Sequence, residues 1–396
     1  MAKIHQSAPL TTPGSYDIIL LRALPKKDNF AAPGAIFKDF VQKITRALPT
    51  RGMKGSMALT LEEIAKLAGV SRSTVSRVVN DHPNVRTQVR ERVWDVIHET
   101  GYQPHAAARS LVTRRTRIIG IIIPESVITL FADPFFPHLL SGITRTCNAE
   151  RYHLMLSLFD DPARSEETYR RVVLSGYLDG VVVASTRVQD PLIGRLLDDD
   201  VPFVLIGRYP DERVHYVDID NVAVARMAVD HLIRLGHRRV ATITGPLSMT
   251  SGQDRLEGYR QAMAAHRLPV DEDLIAEGDF TEIGGTMAAR KLIANSTTAI
   301  FAASDIMAVG ALKALREAGL RVPADVALIG VDDLPVARAV EPALTTVRQP
   351  IEELGSTAAD LLLDLLENPP DDQAPAHRII LPTQLLVRGS CGAMKG

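Results

Sequence analysis

The sequence predicts a chain in two parts: a small all-α helix-turn-helix unit near the amino terminus, then an α/β core of two doubly wound lobes. Three observations carry this. Thr60 to Asn80 reads TLEEIAKLAGVSRSTVSRVVN, two short amphipathic runs separated by one glycine. From Ile118 onward, apolar runs of strand length alternate with amphipathic runs of helix length, the pattern of parallel sheets covered by helices on both faces. Charge is divided as well, since the whole chain stands at −2 while residues 51–117 hold 12 Lys and Arg against 6 Asp and Glu.

At 396 residues, with 46% hydrophobic and 23% charged residues, the chain has room for two or three domains and a substantial core. No run approaches the roughly 18 apolar residues that a membrane span needs. Cys147 and Cys391 are the only cysteines and lie far apart, so neither a disulfide framework nor a metal site is expected, and a reducing cytoplasm fits. Residues 1–57 lack a sustained helical period and are broken by Pro and Gly. They are expected to be a disordered extension or a misassigned start, and the Ile18–Leu24 run, interrupted by Arg22, is too short for a signal peptide.

Residues 58–102 form the predicted three-helix unit. Leu61, Ile64, Ala65 and Ala68 make one apolar stripe, and Gly69 supplies a left-handed stop. Ser71 caps a second helix whose Val75, Val78 and Val79 repeat the stripe, leaving Arg72, Ser73, Ser76, Arg77 and Asn80 off it. Val89, Val93, Val96 and Ile97 mark a third helix over Thr87–Thr100, with Trp94 in the core or at its edge. Arginine can bridge guanine O6 and N7, while Ser, Thr and Asn reach phosphates. With the local positive charge, this polar face points to double-stranded DNA as partner. The linker, 103–117, holds Pro104 and HAAARSLV, a helix shorter than the ~12 residues that are stable alone, so it should need DNA or a second copy to form. Arg114, Arg115 and Arg117 close it, either as a solvated run or as phosphate contacts.

AGVSRSTVSRVVN and the later GYQPHAAARSL resemble the lac-repressor (LacI/GalR) family of bacterial transcription regulators, over about Leu59 to Val387. The resemblance implies that Arg72, Ser73 and Arg77 read bases, that Thr74, Ser76 and Asn80 hold the backbone, and that Asn84 reaches the groove edge. It also implies that His105, Ala108 and Leu111 belong to a minor-groove hinge helix, with His105 standing where Asn is often found. A two-fold operator would then call for a homodimer, because one unit reads only a few base pairs.

Residues 118–396 supply the two lobes. The first is read from IIGIII, a helix from Pro134, LMLSLF, Glu166–Leu174, GVVVA, Leu192–Leu197 and PFVLIG. The second is read from Val222–Leu235, VATIT, a helix near Leu256–Ala265, LIAEG, Ile283–Ile293, AIFAA, Ile306–Ala318 and VALIG. Ile351–Leu366, RIILP and QLLVR close the fold, with crossovers that make a hinged cleft. The family's core is similar to periplasmic sugar-binding proteins.

Ligands of such sheets bind beyond the carboxyl ends of the strands. Phe135, Phe136, Arg208, Arg255, Phe280, Asp305, Asp332 and Asp333 all follow strands. By the resemblance, Arg255 and Asp305 grip effector hydroxyls, facing each other across the lobes, and the three phenylalanines are aromatic walls. Asp220 and Asn221 either complete the polar ring or cap the next helix. Gly207 followed by Arg208, within GRYPDERVHYVDIDN, stands where several relatives carry an acid, and that phrasing resembles regulators of oligosaccharide or glucoside use, which favours a sugar over a purine as the small-molecule effector. No cofactor is expected. An enzyme is disfavoured because no G-x-G-x-x-G, P-loop, H-E-x-x-H or G-x-S-x-G pattern occurs.

Overall fold

The structure, a computed structural model, describes residues 59–79, 82–102, 115–123, 130, 133–158, 165–184, 187–371 and 374–393. The 1–57 extension and residues 103–114, which include the expected hinge helix, lie outside them. The boundary between two compact units falls after Tyr102.

In the first unit, α1 (Leu61–Ala68) starts with a capping box: Thr60 N–H donates to the Glu63 carboxylate at 2.7 Å, and Glu63 N–H donates to Thr60 Oγ1 at 3.3 Å. Gly69 ends it at φ 62°. In α2 (Arg72–Val79), Thr74 N–H donates to Ser71 Oγ at 3.1 Å. α3 (Thr87–Thr100) stops at left-handed Gly101. Ile64, Ala65, Val75, Val78, Val93 and Ile97 close the core between the three helices. Trp94 lies at the edge of this unit, 36% exposed and stacked on His98.

The second unit begins with a lobe of β1 (Ile118–Ile123), α4 (Phe135–Ala149), β2 (His153–Leu158), α5 (Ser165–Val172), β3 (Gly180–Ala184), α6 (Pro191–Asp198), β4 (Phe203–Ile206) and β5 (Tyr216–Ile219). The chain then builds α7 (Asn221–Arg234), β6 (Val240–Thr244), α8 (Thr250–Ala265), β7 (Ile275–Glu277), α9 (Glu282–Ile293), β8 (Ala299–Ala302), α10 (Asp305–Glu317), β9 (Ala327–Asp332), α11 (Pro335–Ala339) and β10 (Thr345–Arg348). Finally α12 (Ile351–Glu367) and β11 (Arg378–Leu381) return to the first lobe, and β12 (Gln384–Leu386) to the second. The first sheet runs β11-β5-β4-β3-β1-β2, all parallel. The second runs β12-β10-β9-β8-β6-β7, parallel except for β12. The strands β3, β4, β6, β8 and β9 are buried throughout, as helices on both faces require.

The chain passes between lobes three times, at Asp220, at Gln349–Pro350 and at residues 382–383. Two strands that precede these passages, β5 and β10, have no counterpart in the sequence reading, because YVDI and TTVR are four residues each and are interrupted by Asp218 and by Thr345, Thr346 and Arg348. The helix expected near Leu256 starts at Thr250, since its first turn, TSGQD, carries no apolar stripe.

Helices α4 and α12 touch backbone to backbone through glycine. A Cβ on Gly142 would stand 1.9 Å from the Glu352 carbonyl oxygen, and one on Gly355 would stand 2.3 Å from that of Leu139. Gly142→Ala should therefore destabilise the core by about 1 to 3 kcal/mol, despite alanine's better helix propensity. Urea unfolding should show a lower midpoint at unchanged slope; a neutral or stabilising change would refute so close an approach.

A reading helix and an interlobe cleft

Two side-chain arrays remain after the core is accounted for. On α2, Arg72, Ser73 and Arg77 are exposed, Thr74 and Ser76 are half-buried, and Asn84 is exposed beyond the helix. Asn80, His105, Ala108 and Leu111 lie outside the described residues. Ser71 Oγ ties the first turn together, 2.8 Å from both Ser73 Oγ and Thr74 Oγ1. Arg72 Nε pairs with Glu62 of α1 at 3.0 Å, a partner absent from the sequence reading. The face thus presents guanidinium and hydroxyl donors from one rigid helix, which is the chemistry of groove contact.

The second array lines a cleft between the lobes, at the carboxyl ends of the strands. Phe135, Phe136, Arg208, Arg255, Phe280 and Asp332 all line it. Phe135 and Phe136 meet edge to face at 5.5 Å. Two residues are placed differently from the sequence expectation. Asp305 does not face Arg255 across the lobes: both belong to the second lobe, and Asp305 is fully buried behind the wall. Its oxygens accept from Thr346 Oγ1 at 2.6 Å and Leu334 N–H at 2.9 Å. Asp220 is exposed and takes the capping alternative, accepting from Ala223 N–H at 2.9 Å. Its place in the lining is taken by Asp218 and Asn221, joined by Asp133, Gln349 and Met249–Ser251. Asp218 and Gln349 sit in or beside the two strands that the sequence reading lacks; Asp133 was legible as an acid next to the Phe pair.

Arg255 is wholly buried. Its Nε donates to Asn221 Oδ1 at 2.9 Å and its Nη1 to the Ala303 carbonyl. Burial pulls its pKa down, opposed by the fields of Asp332, Asp218, Asp254 and Asp305. Among the described residues none of these carboxylates forms an ion pair with it, so a gap separates charge from countercharge. Burial pushes Asp332 up to about 7 against the pull of Arg255, Asp218 up to about 6, and Asp133 and Asp305 above the ordinary carboxylate range. Asp332 is held by Gln349 Nε2.

The lobes also touch at the rim. Arg208 of the first pairs with Asp254 of the second, Val188 N–H donates to the Ser248 carbonyl at 2.8 Å, and Arg187 and Met249 form an antiparallel bridge. The Arg208–Asp254 pair raises the arginine, yet burial still leaves Asp254 above its usual value. Phe280 and Asp332 both adopt positive φ, 63° and 118°, a strain of about 1 to 3 kcal/mol each that ligand sites often store. Asp333 faces away: three guanidiniums, Arg338 and Arg348 at 2.9 Å and Arg388, outweigh its burial and hold it below the usual range.

A basic helix-turn-helix unit joined to a two-lobed binding core defines a ligand-responsive DNA-binding regulator, and the comparisons with known proteins agree. Residues 60–105 match "Bacterial regulatory proteins, lacI family" and residues 229–391 a "Periplasmic binding protein-like domain". The chain is 43% identical over 341 residues to the HTH-type transcriptional regulator CelR of Thermobifida fusca, covering 84% of this chain and 98% of CelR. A solved CelR-cellobiose complex aligns at 40% identity and TM-score 0.66 over 84% of this chain and 99% of that one. The HTH-type transcriptional repressor PurR of Escherichia coli is 36% identical over 315 residues, 78% of this chain and 91% of PurR. The lac repressor dimer bound to operator and the anti-inducer ONPF aligns at 27% identity and TM-score 0.74, over 84% and 99% of the two chains. The chain belongs to the LacI family of bacterial transcription regulators.

The raised carboxyls predict that ligand binding depends on pH. A ligand hydroxyl donating to Asp332 or Asp218 stabilises the ionised form, lowering its pKa on binding. Binding should therefore release protons and tighten as pH rises from 5 towards 7.5, levelling off above the value of about 7 for Asp332. Calorimetry in buffers of different ionisation enthalpy measures this; proton uptake, or none at all, would show that these groups do not receive ligand hydroxyls.

Proposed function

We propose that this regulator is a repressor that binds a pseudo-palindromic operator as a homodimer and is controlled by a small carbohydrate held in the interlobe cleft. The observation that carries the effector reading is the cleft itself, with carboxylates and a guanidinium set across a gap beside three phenylalanines. Carboxylate and guanidinium can take hydroxyls in pairs, and flat rings cover the apolar faces of sugars. The likeness to CelR, solved with cellobiose, supports the same class. Asn80, Asn84 and the linker residues His105, Ala108 and Leu111 complete the proposed DNA contacts.

The dimer is supported by apolar surface that a second copy would cover. Leu156 is 41% exposed on β2, the open edge of its sheet, and Ile283 and Met287 are 73% and 59% exposed one turn apart on α9. Among the described residues no helix is long and apolar enough to cross a membrane, and a cytoplasmic place of work fits the DNA partner. Catalysis is not part of this reading.

An operator selected from random duplexes, followed by titration with cellobiose and hypoxanthine, tests it. Arg77→Ala should cost about 1 to 3 kcal/mol at one base pair of each half-site and relax preference there. An unchanged base profile would remove Arg77 from direct readout. Phe280→Ala should weaken carbohydrate binding roughly tenfold and leave effector-free operator affinity intact. Release by hypoxanthine and not by any saccharide would replace the carbohydrate reading with a purine one.

A further inference from the structure

The polar inventory of the cleft also fixes the charge of what it can take. Asp133, Asp218 and Asp332 line it, Asp254 stands at its rim and Asp305 behind it, against two guanidiniums, Arg208 and Arg255. Both arginines are partly engaged by protein, and the donors left on Arg255 suit ligand hydroxyls. Arg208 is engaged by Asp254, and two of the N–H groups of Arg255 are held by Asn221 and Ala303.

We infer that the effector is an uncharged saccharide, and that phosphorylated sugars and other anionic metabolites are excluded from the cleft. The inference rests on the reading of the cleft as a carbohydrate site and adds its charge class.

Two physical arguments support it. Each lining carboxylate has one oxygen engaged by protein: Asp133 by Phe135 N–H, Asp218 by Ile219 N–H and Asn221 Nδ2, and Asp332 by Gln349 Nε2. A carboxylate offers about four lone-pair directions, so all three keep acceptor capacity and ask the ligand for donors. Sugar hydroxyls donate; a phosphate dianion has only acceptors. Secondly, a phosphate placed among these carboxyls would meet like charge at low dielectric wherever they are ionised, and would have to hold the already raised Asp332 and Asp218 in their protonated form. Among the described residues four helices begin at the cleft: Asp133, Asp220 and Ser304 each take an amide at the start of α4, α7 and α10, while α8, whose N-cap Met249 gives no side-chain cap, carries Asp254 in its own second turn. Hydroxyl and ring oxygens suit the amides at the start of α8 without the charge. The effector must accordingly be supplied by a step that leaves the sugar unphosphorylated, such as uptake of the intact saccharide or hydrolysis of a glycosidic bond, rather than by phosphorylating uptake.

Titration calorimetry on the full chain tests this with cellobiose, maltose, sucrose and ribose against cellobiose 6-phosphate, glucose 6-phosphate and ribose 5-phosphate. At least one neutral sugar should bind, and every phosphate should bind at least tenfold more weakly than the tightest neutral sugar. A phosphate that binds within tenfold of it, or more tightly, overturns the inference while leaving the carbohydrate reading intact. Binding of hypoxanthine alone, or of nothing in the panel, removes the carbohydrate reading and this inference with it. Asp218→Asn keeps the shape and removes one charge, so it should narrow the gap between cellobiose and its 6-phosphate. A gap that does not narrow would assign the exclusion to shape and overturn the charge argument.

Discussion

The cleft depends on one buried guanidinium. A charge removed from water is costly unless protein groups replace its hydration, and Arg255 has exchanged water for Asn221, the Ala303 carbonyl and the field of four carboxyls. The dependence runs both ways. Asp332 and Asp218 sit in walls that are otherwise apolar, and burial already drives them towards the neutral form. Without Arg255 they would hold protons throughout the neutral range and lose the acceptor character that a hydroxylated ligand needs. The position of Arg255 is in turn set by α8, which buries Leu256, Tyr259, Ala262 and Met263 against the second lobe.

That arrangement explains what could be read from the sequence and what could not. The helix pair α1–α2 was legible because its signals are local: a left-handed glycine, a capping serine at Ser71 and a three-to-four spacing of apolar residues within each helix all act within a turn. The long apolar strands were legible for the same reason. The short strands β5 and β10 were not, because four residues carrying polar side chains become strands only through pairing, β5 with the far-off Arg378–Leu381 and β10 with Ala327–Asp332.

The cleft residues divide along the same line. That some acid follows each strand is visible in the sequence; which acid points inward is not. Asp218 and Asp220 lie two apart, a spacing that shares a face in an extended strand, yet the strand stops at Ile219 and Asp220 is taken by the cap of α7. Asp305 follows β8 and Asp332 ends β9, and only the demand of Thr346 and the Leu334 amide decides that Asp305 is the one turned away. Likewise the Arg72–Glu62 pair joins two helices whose relative placement no single-helix pattern contains.

The polar network is also anchored where the lobes are joined. Asn221, which receives Arg255, follows directly on the first passage between lobes at Asp220, and Gln349, which holds Asp332, begins the second. A ligand filling the gap between Arg255 and the carboxyls therefore bears on groups whose other partners are hinge residues. The rim contacts Arg208–Asp254 and Val188–Ser248 offer little resistance to a change of lobe angle, since one is a partly exposed ion pair and the other a single hydrogen bond. A ligand shifts such an equilibrium only by its difference in affinity between the two arrangements, typically worth about 1 to 3 kcal/mol in coupled systems. One or two charge-assisted hydrogen bonds made in a single lobe arrangement are of that size. The fold thus places the buried polar groups of the cleft where a modest affinity difference would be enough to bias the angle between lobes.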